Sequence, residues 1–198
     1  MDSIVQVIEN AMAARDPFTV NHQRRVAQLS SAIAWEMGLK EKQTRDLMVA
    51  ARLHDFGKIS VPISILSKSG KLSDLEMAMI KSHPAVGADL LKPLSLHTAT
   101  FMIIMQHHER INGSGYPFGL SGEDILLEAR IMGVADVVEA MTSHRPYRPS
   151  LGIEKALEEI SQQRGTLYDP SVVDALGRLE SGNMFGKFFA VKFFREAA

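Results

Sequence analysis

The sequence predicts an all-α protein. Three observations carry that expectation. Apolar residues recur at helical spacing through most of the 198 residues. Capping residues, prolines and glycines such as Gly38 and Gly57 fall at the ends of those periodic segments. The one short apolar run that could pass for a strand, residues 59–66, contains Pro62, which a central strand does not tolerate.

Taken in order, a short helix over residues 4–14 comes first. His22, Val26, Leu29, Ile33 and Met37 then share one face of a second helix, which Gly38 ends. Leu47, Ala50, Ala51 and His54 form the inner side of a third helix over 41–56, closed by Gly57. Residues 59–66 read as a loop or a single turn. Ser73, with Glu76 three residues on, is a capping-box start for the next helix. Pro84 allows another to begin near His83. Residues 98–109 are helical and apolar before the chain enters INGSGYPFGLSG, a loop punctuated by glycine and proline. A long helix over 123–142 follows, Pro146 and Pro149 break it off, and segments 153–163 and 171–179 complete the bundle. Any sheet is confined to a small hairpin in the 59–72 or 111–120 loops.

Composition narrows the partners. Hydrophobic residues make up 45% of the chain, enough for a full core. A net charge of −1 argues against an extended nucleic-acid polymer, although a local basic groove can hold a small nucleotide. There is no cysteine, hence no disulfide and no thiolate metal site. No stretch reaches the ~18 apolar residues of a spanning helix, and the first residues lack a signal-peptide pattern, so the cytoplasm is the expected location.

The chemistry is concentrated in two adjacent pairs, His54-Asp55 and His107-His108. Neighbouring ionisable residues on apolar helical stretches are poor core material, because buried imidazole and carboxylate need partners or a metal. On a helix, consecutive side chains point about 100° apart, so such a pair can grip one ion from two sides or share a carboxylate between two. Asp136 lies in IMGVADVVEA, where an unpaired charge would be expensive. With His22 and His83 these make seven nitrogen and oxygen donors, a set suited to iron or manganese rather than to a thiolate zinc site.

The blocks that carry these residues resemble the HD-GYP family, bacterial phosphodiesterases of cyclic di-GMP within the HD superfamily. The matching text runs in order: DPFTVNHQRRVA, HDFGKISVP, ILSKSGKLSDLE, IKSHPAVGADLL, HHERINGSGYPFGLSGEDI, EARIMGVADVVEAMTSHRPYR and GTLYDPSVV, over roughly residues 10–178. The resemblance implies an HD-superfamily helical bundle with extra C-terminal helices and a GYP loop. It implies that His22, His54, Asp55, His83, His107, His108 and Asp136 are metal ligands, with Asp55 bridging two ions and a water shared by them as nucleophile. Lys58 matches a lysine that contacts the scissile phosphate, so Asp55 and Lys58 are the expected catalytic pair. Gly115, Tyr116 and Pro117 form the loop beside the site, and Arg145 and Arg148 match positions that hold substrate phosphate or guanine.

Departures refine the expectation. Phe18 stands four residues before His22, where members with a third metal carry glutamate. The resemblance therefore implies two divalent ions, iron or manganese, with Asp16 left nearby as a contact to substrate or water. Asn112 and Glu139 each replace a common aspartate, and Ser60 and Leu126 replace other common residues. None of these is a core ligand.

The implied reaction opens cyclic di-GMP to linear pGpG, with breakdown to GMP slower or absent at a dinuclear site. Two other readings stay open: a catalytically weak module that binds a cyclic dinucleotide or partner and signals, and hydrolysis of another cyclic dinucleotide such as cyclic GMP-AMP. The expected organisation is a phosphohydrolase domain over 1–180, with 1–17 as its N-terminal helix. An aromatic and basic tail over 181–198 would pack on this domain or a second subunit, lie on a membrane surface, or be a truncated end. A homodimer or a regulatory protein is the expected macromolecular partner. The blocks fit both a stand-alone enzyme and a piece of a longer protein.

Overall fold

The structure, a computed structural model, describes residues 2–144 and 149–182. Arg145, Arg148 and nearly all of the Phe-rich tail lie outside the described residues. The helices are α1 (Asp2–Ala13), α2 (Pro17–Glu36), α3 (Glu41–Leu53), the single turn α4 (Ile63–Leu66), α5 (Asp74–Lys81), α6 (His83–Leu91), α7 (Thr98–Gln106), α8 (Leu127–Thr142), α9 (Ile153–Gln162) and α10 (Pro170–Ser181). Two 3₁₀ turns, Phe56–Ser60 and Gly122–Asp124, interrupt them. Among the described residues there is no strand; isolated bridges join Asn112 to Ser121 and Arg164 to Tyr168. No described helix is long and apolar enough to cross a membrane.

Local chemistry sets the helix ends. Asp16 caps α2 by accepting from the backbone of Phe18 and Thr19, with Pro17 in the first turn. Gly38 closes α2 at φ +75°, its amide on the Trp35 carbonyl and the Leu39 amide on the Ala34 carbonyl, a Schellman arrangement. Ser73 and Glu76 form the capping box of α5. Pro84 sits in the first turn of α6.

Three boundaries differ from the sequence expectation by three residues or more. α3 stops at Leu53, three residues early, and the chain tightens into a 3₁₀ turn. Gly57 in that turn lies against α6 so closely that a Cβ would meet the His83 carbonyl oxygen at 2.0 Å. α7 ends at Gln106, where His107 and His108 turn out of it. α8 begins at Leu127, not near 123, because Ile125 is drawn into the core and the Leu126 amide donates to the Gln106 side chain at 2.8 Å. Both contacts hold the chain extended before the helix.

The bundle is built around α2, α3 and α8. α2 packs on α3 and α8, α3 also meets α7, and α8 carries α9 on another side. Ile33, Leu47, Leu53, Ile103, Ile104, Ile131 and Met132 fill the space between them. α1 is locked on by the buried Glu9 carboxylate, which takes Arg24 of α2 at 3.0 Å and Arg52 of α3 at 2.8 and 3.0 Å.

Candidate metal centre

The ends of α3 and α7, the start of α6, and the inner faces of α2 and α8 converge, and all seven donors meet there. His22, His54, Asp55, His83 and His107 are buried. His108 and Asp136 are partly so. Three groups bring their donor atoms within 4.8 Å of one another: His22-His54-Asp136, His83-His107-His108, and His54-Asp55-His107. The first two share no residue. Asp55 lies between them, Oδ1 3.4 Å from His83 Nε2, Oδ2 3.6 Å from His54 Nε2 and 3.9 Å from His22 Nε2. His22 Nε2 is 3.1 Å from Asp136 Oδ1.

The imidazoles are oriented from behind by a repeated device. His54 Nδ1 is 2.8 Å from the Ala51 carbonyl, His83 Nδ1 2.7 Å from that of Ile80, and His107 Nδ1 2.6 Å from that of Ile104. Each bond reaches back three residues along the chain. It sets the proton on Nδ1 and leaves Nε2 a bare lone pair. The consequence is visible between His83 and His107, whose Nε2 atoms face each other at 3.4 Å. With both Nδ1 positions protonated, neither Nε2 can donate to the other. Buried His54 Nε2 and Asp55 Oδ1 are likewise without a hydrogen-bond partner. Lone pairs aimed at one another in a buried space are what a cation resolves. The donor set therefore fits divalent metal, with nitrogen and oxygen ligands and no sulfur.

Electrostatics agree. Burial pushes His107 well below its usual range, takes His108 down to about 3 and, against the pull of Asp55, takes His83 down to about 4. Burial also outweighs Asp55 at His54. These rings are neutral donors at physiological pH. Burial would raise Asp55, but Lys58 first and then the neighbouring histidines hold it well below the carboxylate range. His22 behaves differently. Burial lowers it, yet the carboxylates of Asp136 and Glu139 bring it up to about 9. An ion taking His22 Nε2 must displace a proton, so metal uptake releases one.

Lys58 donates to Asp55 Oδ2 at 2.7 Å, at the edge of the donor set. The GYP loop buttresses the ligand-bearing end of α7. A Cβ on Gly115 would lie 2.4 Å from Glu109 Cα and 2.5 Å from the His108 carbonyl oxygen, so only glycine allows this approach. The Tyr116 ring stacks on His108 with centroids 4.6 Å apart, and the Tyr116-Pro117 peptide is cis. Asp16, expected as a contact to substrate or water, caps α2: one oxygen accepts from the amides of Phe18 and Thr19 and the other from the Thr19 hydroxyl at 2.6 Å.

Two residues outside the expected set matter. Glu139 is fully buried, and its carboxylate binds His22 Nδ1, Arg25 and the Ser143 hydroxyl. It does for His22 what the carbonyls do for His54, His83 and His107. Its position three residues after Asp136, a second charge in the same apolar helix, is the signal that could have marked it. Glu109 accepts from the amides of Phe118 and Leu120 at 2.7 and 3.0 Å, tying the GYP loop to the His107-His108 corner. Glu139→Ala should weaken metal affinity roughly 10- to 100-fold, as loss of such a supporting carboxylate does elsewhere. Metal titration with a competing chelator measures this, and unchanged affinity would contradict the role.

A family model described as "HD domain" matches residues 6–172. The cyclic di-GMP phosphodiesterase response regulator RpfG of Xanthomonas campestris is 42% identical over 185 residues, covering 91% of this chain and 49% of its own length. The 3'3'-cGAMP-specific phosphodiesterase 3 of Vibrio cholerae is 35% identical over 176 residues, covering 89% of this chain and 38% of its own. The solved structure of Bd1817, a HDG"Y"P protein from Bdellovibrio bacteriovorus, superposes with a TM-score of 0.68 at 25% identity, over 84% of this chain and 54% of that one. The chain thus spans about half the length, or less, of the relatives it matches.

Proposed function

The chain belongs to the HD domain family, in its HD-GYP branch, and on that premise we propose that it is a metal-dependent phosphodiesterase opening cyclic di-GMP to linear pGpG. The observation that carries this reading is the pair of separate donor triads with Asp55 between them. His22, His54 and Asp136 would hold one ion, His83, His107 and His108 the other, and Asp55 both. Iron or manganese suits these donors. Phe18, which offers no oxygen and is largely exposed, leaves no side-chain ligand for a third at that position.

When bound, two such ions supply a water of lowered pKa as nucleophile and neutralise charge on the phosphoryl oxygens. The chain's own residues do the rest. The backbone carbonyls and Glu139 keep the imidazoles they touch aimed inward. With an ion in place of the His22 proton, the five histidines would all be neutral donors, and Asp55 and Asp136 the anions of the donor set. Lys58 places a fixed positive charge where negative charge builds as the P–O bond breaks. Arg145 and Arg148 would hold the substrate's phosphate or guanine, Arg145→Ala then raising KM more than it lowers kcat. Relatives named for cyclic GMP-AMP support a second reading, that of a different cyclic dinucleotide.

The test is product analysis after anaerobic reconstitution with iron(II) or manganese(II). We expect close to two metal equivalents per chain and accumulation of pGpG. A reproducible third equivalent would refute the argument from Phe18. Turnover of cyclic GMP-AMP alone would transfer the assignment to that substrate, and turnover of neither would leave a binding module.

A further inference from the structure

The structure assigns Lys81 as the residue that receives the second, non-scissile phosphate of the cyclic dinucleotide; the assignment rests on the phosphodiesterase reading above. The helix that carries it is unusual. α5 has no buried residue, so the core does not explain its placement. What it contributes lies at its last turn. The Ile80 carbonyl orients His83 from behind, and the next residue, Lys81, sends its ammonium over the Tyr116 ring, 5.3 Å from the centroid. That ring stacks in turn on His108 at 4.6 Å and 28°. The cation is therefore one aromatic ring removed from a proposed metal ligand, on the wall formed by α5 and the GYP loop.

Charge distribution gives this position its use. Lys58 is committed to Asp55 and, in the mechanism proposed above, to the phosphate that reacts. A cyclic dinucleotide carries a second phosphodiester across its ring, and that group needs a cation set back from the metals. Lys81 is solvent-exposed and has no carboxylate within ion-pair distance among the described residues. The face of Tyr116 holds the ammonium in place without neutralising it. A compact, rotatable ammonium on such a platform suits a phosphate arriving from solvent.

The experiment compares a substrate that has a second phosphate with one that lacks it. Wild type, Lys81→Ala, Lys81→Glu and Lys81→Arg are loaded with manganese(II). Each is assayed with cyclic di-GMP, cyclic GMP-AMP and bis(p-nitrophenyl) phosphate, and metal content is measured throughout. For the cyclic dinucleotide that wild type turns over, Lys81→Ala should raise KM about tenfold or more, the loss expected for one charge-assisted contact. Lys81→Glu should raise it further, and Lys81→Arg should restore most of it. Kinetics on bis(p-nitrophenyl) phosphate and the metal content should stay at wild-type values. Unchanged KM for the dinucleotide, or an equal loss on both classes of substrate, overturns the assignment while leaving the phosphodiesterase reading intact. A wild-type protein that cleaves only bis(p-nitrophenyl) phosphate overturns both.

Discussion

Asp55→Ala is expected to abolish phosphodiesterase turnover and strip the protein of metal, the largest effect of any single substitution in the site. Among the described residues, its carboxylate is the one whose two oxygens face histidines from both disjoint triads. Removing it takes away a ligand and leaves His22, His54, His83 and Lys58 without the anion that faces them all. Two divalent ions would then sit against Asp136 as the remaining carboxylate of the donor set. Asp55→Asn separates the effects of shape and charge. It keeps the volume, so the helices should pack as before, but an amide is a weaker ligand and carries no charge. We expect little metal and no measurable turnover from it as well. Circular dichroism should show wild-type helix content in the Asp55→Asn variant, and elemental analysis should show the ions gone. Activity near wild type in either variant would remove the centre of the proposed mechanism.

Lys58→Ala should lower kcat by roughly 10²-fold, the usual size for one preorganised donor to a charged transition state, with metal content near normal. Two roles compete at this side chain. At 2.7 Å from Asp55 Oδ2 it is a partner of a proposed ligand, and its charge is the largest influence holding that carboxylate ionised. Bound cations would take over that support, since their charge stabilises the carboxylate far more strongly than one ammonium does. Only the loss at the phosphate, the other role, would then remain in view. Kinetics at saturating manganese(II), beside a metal titration, distinguish the two. Loss of metal in step with loss of rate would make Lys58 a support of Asp55 and nothing else.

Much of this architecture is legible in local sequence because the forces that produce it are local. Ser73, Gly38 and Pro84 act within a few residues of themselves, and each marks a helix end where it stands. The seven donors can be named for a related reason. Charged or imidazole side chains in apolar helical runs must be compensated, whatever the fold. His54-Asp55, His107-His108 and Asp136 announce that need without revealing what meets it.

Tertiary structure decided the remainder, because it depends on residues far apart in the chain arriving at one place. α3 ends at Leu53, and the turn after it is shaped by Gly57 lying on the backbone of His83, well beyond the reach of local sequence. α8 starts late because Ile125 enters the core and Gln106 takes the Leu126 amide. In sequence Glu139 is a harmless replacement for aspartate; only the approach of α2 to α8 puts His22 Nδ1 and Arg25 on its oxygens. Periodicity states which face of a helix turns inward. Which atom of an inward side chain meets which partner is set by how the helices cross, and that is where the division of the donors into two triads around Asp55 arises.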